Sequence, residues 1–183
     1  MDAPVAAPSY PAFIPPGGLA TTRPQSWSRA EADDYAAWLK QQVVPRVLAM
    51  HRYFRVNEPA SVSTLRELEK ILSTRLREAP FAERVGEQLE LSPAGYAAAA
   101  DMGLLIAQLL LETGRMTWKI VRRPRTDVSF NQPVLTGFPT HEPFNPIWAA
   151  LGPAHRILGG RVGPNWSTIY SYALDHLGEA PST

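Results

Sequence analysis

The chain has 183 residues, enough for one domain with a buried core. An apolar fraction of 45%, a net charge of +1 and no cysteine exclude a disulfide scaffold, a thiolate zinc site and a cysteine nucleophile, and leave no strong field for nucleic acid or an anionic membrane. No basic, apolar leader opens the sequence, and the longest apolar run, Met102 to Leu111, falls short of the ~20 residues that span a bilayer. A cytoplasmic protein without membrane insertion is therefore expected. Apart from Lys40, Lys70 and Lys119 the basic residues are all Arg, which with abundant Ala and Pro suggests a GC-rich bacterial genome.

Residues 1–26 are rich in Pro and include Gly17-Gly18, a composition that forbids a regular helix. The segment reads as an extended arm, either free or laid across the domain by Tyr10, Phe13 and Ile14. Ser28-Arg29-Ala30-Glu31 fits a capping box and predicts a helix to about Tyr53, kinked or split near Val44 by Pro45. Thr64 to Glu67 fits a second box, opening a helix to about Glu78 with Leu65, Leu68, Ile71, Leu72 and Leu76 on its apolar stripe. Phe81 to Leu91 is compatible with a short helix or with a turn and a brief strand at Gln88 to Leu91.

Ser92-Pro93 places a cap and a first-turn proline before an Ala/Leu-rich run that ends at Thr113-Gly114. This run is apolar on most sides, so it should be the central helix, and Ala97 to Ala100 with Gly103 should let neighbours approach closely. Trp118 to Val121 reads as a strand, with Phe130 to Phe138 as its antiparallel partner and Pro133 marking an edge. Asn145-Pro146 repeats the cap-plus-proline device and starts a helix that Gly152-Pro153 should interrupt. Trp166 to Leu177 forms the last helix, and residues 179–183 a frayed tail. The expected fold class is α+β: mostly helical, with a long central helix packed on a small antiparallel sheet, residues 27–178 forming one domain.

The chemistry-bearing residues form no familiar constellation. No two of the four histidines stand at the i,i+3 or i,i+4 spacing that puts two metal ligands on one helical face, so they read as surface or capping residues. No Gly-x-Ser-x-Gly elbow occurs, and Gly159 to Pro164 lacks the Lys-Ser/Thr ending of a phosphate loop. Asp101 interrupts the most apolar helix, and either faces a solvated groove or is buried against a partner such as Arg. Arg122-Arg123-Pro124-Arg125 is the densest positive patch and suits an acidic protein surface better than nucleic acid. The five tryptophans should mostly anchor the core. One left exposed near Arg122, Arg123 or Arg161 would mark a binding hot spot.

Several pieces taken together, namely Trp38 with Pro45-Arg46, Gly103, Trp118-Lys119-Ile120, Asn131 to Leu135 with Gly137-Phe138, and Trp166 to Leu174, give the chain a resemblance. From about Ser28 to Leu177 it resembles a loose group of small bacterial α+β proteins of immunity or secretion-accessory type. The resemblance implies a non-enzymatic protein that neutralises a toxin or serves a secretion locus, with no catalytic residue to carry over. The expected function is thus an immunity protein that covers the active site of a cognate toxin by steric occlusion and charge complementarity. Its expected contacts are Arg122, Arg123, Arg125, Asp127, His141 and Arg161, with no cofactor and no metal. Two alternatives stand beside it. One is an adaptor subunit of a bacterial assembly that docks through its arm. The other is a small-ligand binder or enzyme with a pocket lined by Asp101, Trp118 and Trp148.

Overall fold

The computed structural model describes residues 9–139 and 142–178. It is α+β and mostly helical: helices α1 (Arg29–Phe54), α2 (Val62–Arg75), α3 (Pro93–Glu112), α4 (Pro146–Leu158) and α5 (Trp166–Gly178), and strands β1 (Ala82–Val85), β2 (Gln88–Leu91), β3 (Thr117–Ile120) and β4 (Pro133–Thr136). The strands form two separate antiparallel hairpins, one pairing Ala82 with Leu91, the other Trp118 with Leu135. The ambiguous stretch before α3 is therefore the first hairpin, turning at Gly86 with φ +63°.

Local chemistry explains most boundaries. Ser28 accepts from the Glu31 N–H while Glu31 accepts from the Ser28 N–H, closing the predicted capping box. The second box lies three residues earlier than predicted. Ser61, not Thr64, caps α2, and the Thr64 hydroxyl takes the role given to Glu67 by accepting from the Ser61 N–H at 2.8 Å. Pro45 and Pro153 do not split their helices. An internal proline costs about 3 kcal/mol, and in α1 the long buried face from Ala32 to His51 offsets it.

α3 is the centre of the molecule. All its residues from Ala97 to Ala107 are buried, because α1, α4 and α5 surround it and β2 touches it. By length and composition α3 could cross a bilayer, which counting the apolar run had missed, but 78% of its most apolar window is already covered by protein, as befits a core helix. Gly103 lets α4 come close: a Cβ there would overlap the Pro146 carbonyl. Trp166, fully buried, anchors α5 and donates its indole N–H to the Ala150 carbonyl at 2.9 Å.

Of the two courses open to the arm, residues 10–27 take the packed one. Tyr10, Leu19 and Trp27 are buried, and Tyr10 joins an aromatic cluster with Tyr53, Phe54 and Phe81.

Candidate functional site

Two polar assemblies tie distant segments of the chain together. The first is a clamp on the arm. Arg46 of α1 donates Nε and Nη2 to the two carboxylate oxygens of Asp101, each at 2.8 Å, and its remaining donors reach the Ala12 and Pro11 carbonyls at 2.6 and 3.0 Å. The Tyr10 hydroxyl completes the site by donating to Asp101 at 2.7 Å, and Phe13 lies against the guanidinium face. Burial pushes the Asp101 carboxyl up to about 6, with the Arg46 and Tyr10 contacts pulling it back down. Tyr10 is held well above the usual phenol range by burial first and the Asp101 charge second. Asp101 is thus the buried, Arg-paired carboxylate and not a residue of a solvated groove. With no exposure left, it does not open onto a ligand pocket with Trp118 and Trp148.

The second assembly carries the basic loop between β3 and β4. Arg122 is its anchor: one guanidinium nitrogen pairs with Asp33 of α1, another donates to the Asn131 side-chain oxygen at 3.0 Å. Asn131 stands at φ +62°, a left-handed conformation that Asn tolerates better than most residues. Its amide donates to the Pro24 and Trp27 carbonyls, tying the loop to the base of the arm. Asp127 accepts from the Ser129 N–H at 2.7 Å and turns the chain, an internal task and not a free contact.

The rest of the loop faces outward on this rigid base. Arg123 and Arg125 are exposed, Arg125 leaning over the Phe130 ring, and Val128 is 62% exposed. Trp148, at the start of α4, is 51% exposed. Its indole N–H donates to the Gln132 side-chain oxygen at 3.0 Å, and the Gln132 amide in turn donates to the Val128 carbonyl at 3.0 Å. Asn145 caps α4 by accepting from the Trp148 N–H, and donates to Ser129 and Gln132. The exposed tryptophan and the basic loop are therefore fixed to each other by two hydrogen bonds.

The predicted contact set divides accordingly. Arg123 and Arg125 are exposed on one loop, whereas Arg122 and Asp127 hold that loop in place. Arg161 is exposed but follows the far end of α4, about 20 Å from the Asn145 cap at 1.5 Å per residue. His141 lies outside the described residues. Trp148 and Val128, missing from that set, join the surface. An exposed Trp was the anticipated hot-spot signal, but only the tertiary link through Gln132 identifies which one.

No protein-family model, curated protein or solved structure matches this chain. The site must be interpreted from its own chemistry. Among the described residues no group of three His, Asp or Glu side chains gathers as a metal site. His51, expected at the surface, is instead buried. Its Nδ1 donates to the Glu58 carbonyl at 3.1 Å, its Nε2 has no partner among the described residues, and burial lowers its pKa.

Proposed function

We propose that this chain is a non-enzymatic, cytoplasmic protein-binding module of the immunity type, which covers an acidic surface of a bacterial toxin with Trp148, Val128, Arg123 and Arg125. The observation that carries the reading is Trp148, half exposed yet locked through Gln132 to the loop that bears the exposed Arg123 and Arg125. Trp and Arg dominate binding energy at protein interfaces, and contacts held in place beforehand lose little entropy on binding. On this reading Trp148 and Val128 fill a depression of the partner, and the arginine forks find carboxylates around its rim.

The experiment is affinity capture from the source cells with the tagged chain, followed by titration of the purified partner. A stoichiometric partner with a toxin-type catalytic domain, bound at least tenfold more weakly by Trp148→Ala, supports the reading. A partner that binds wild type and Trp148→Ala equally removes the proposed surface, and recovery of a multi-subunit assembly moves the function to the adaptor class. Deleting the arm would not separate these classes, because it would remove Tyr10 and leave Arg46 and Asp101 short of partners.

A further inference from the structure

A second basic surface lies at the other end of α1. From Asp33, which holds the β3–β4 loop, to Arg52 is about 28 Å along the helix axis at 1.5 Å per residue. Here the C-terminal ends of α1 and α2 flank an open groove of about 880 Å³, and its wall carries Arg52, Arg55 and Arg75 with no acidic residue. Among the described residues these three guanidinium groups form no hydrogen bond and no ion pair, in contrast to Arg46 six residues before Arg52. Tyr53 and Phe54 supply half-buried aromatic faces between them.

Part of this charge has a local explanation, since cations favour helix C-termini. Two helix ends amount to about one negative charge in total, however, against three arginines. The groove remains positive and unneutralised. We propose that it binds an extended Asp/Glu-rich segment of a protein partner, at a site distinct from the Trp148 surface and independent of it.

The backbone selects the occupant. Compact phosphate sites recruit backbone N–H groups at helix N-termini, whereas this groove is flanked by two C-termini. No backbone N–H of the described residues reaches the carbonyls of Tyr53 and Phe54. A peptide brings what both features lack: carboxylates for the arginine forks and main-chain N–H groups for the open carbonyls. A phosphate ion brings no N–H donor, and a nucleic acid backbone brings none either.

The test is fluorescence anisotropy of the full chain with a labelled short peptide of alternating Asp and Gly. Its controls are a Lys/Gly peptide, inorganic pyrophosphate and single-stranded oligothymidine as competitors. The acidic peptide should bind, weaken with added salt, and lose about tenfold in affinity in Arg52→Gln/Arg75→Gln. Arg55 is left in place because its backbone is left-handed at φ +59°. Circular dichroism shows whether the variant keeps its fold, and Lys119→Gln, at an exposed position of β3 away from the groove, should bind the peptide as wild type does. The proposal is overturned if the Lys/Gly peptide binds equally, if the folded Arg52/Arg75 variant retains full affinity, or if pyrophosphate or oligothymidine displaces the peptide at lower concentration than unlabelled peptide does. None of these outcomes bears on the Trp148 surface.

Discussion

The arm clamp and the β3–β4 loop each hang on one arginine and differ in what that arginine leaves free. Arg46 spends its donors inward, on Asp101 and on the carbonyls of Pro11 and Ala12, so its charge never reaches solvent. Arg122 spends its donors at the foot of a loop, on Asp33 and Asn131, and in doing so holds Arg123 and Arg125 outward. An arginine whose hydrogen bonds all go to internal partners fixes the fold. An arginine that props up its neighbours prepares a surface.

This contrast sets the order of expected effects. Asp101→Ala leaves the Arg46 guanidinium buried without its carboxylate and should cost about 3–5 kcal/mol in urea denaturation. The double change Arg46→Met/Asp101→Leu should recover much of that loss, because an apolar pair of similar volume removes both buried charges. Gly103→Ala has a smaller effect, comparable to that of Tyr10→Phe. It pushes a methyl group into the Pro146 carbonyl and should cost about 1–3 kcal/mol, read as a lower unfolding temperature. Tyr10→Phe removes one hydrogen bond to a charged acceptor and should cost about 1.5–3 kcal/mol, with faster proteolytic cleavage of the arm as its particular signature. Arg123→Ser/Arg125→Ser should change stability by no more than about 0.5 kcal/mol while weakening the partner. A large loss of stability there would erase the difference between the two regions.

pH sharpens the comparison between buried groups. His51 has a folded pKa below its unfolded value near 6.5, so its contribution to stability is present above that value and is lost as pH falls through the folded pKa. Asp101 has the opposite sign. Its folded pKa of about 6 exceeds its unfolded value of about 3.8, so its contribution is present below 3.8 and is lost as pH rises through 6. In the wild type the two partly cancel between pH 7 and 5. Denaturation of His51→Gln across that range should show stability rising on acidification. Asp101→Asn should show it falling.

Much of the local structure was legible because its causes are local. Ser28, Ser92 and Asn145 announce their helices through side chains that reach a backbone N–H three residues on, and Gly114 ends α3 in the left-handed conformation at φ +72°. The apolar run of α3 revealed its central position for the same reason. Where two local signals competed, reading went astray: Ser61 and Thr64 both suit an N-cap, and the choice falls to Ser61 because Thr64 serves better as its reciprocal partner. Pro45 reads as a breaker until the length of α1's buried face is known.

The two assemblies were hidden for a different reason. Arg46 meets Asp101 across 55 residues, Tyr10 meets Asp101 across 91, and Arg122 meets Asp33 across 89. Nothing in the run Arg122 to Arg125 tells which guanidinium is anchored and which are free, since the deciding carboxylate lies on another helix. Likewise the sequence has five tryptophans of equal promise, and only Gln132 ties Trp148 to the basic loop.

The proposed role of the Trp148 surface is to neutralise a toxin. Its most direct measurement is growth of cells that express the captured partner together with either the wild-type chain or Trp148→Ala/Arg123→Glu/Arg125→Glu at matched levels, both confirmed folded. The account predicts that the wild type restores growth and the triple variant does not. Equal protection by the two chains would contradict it.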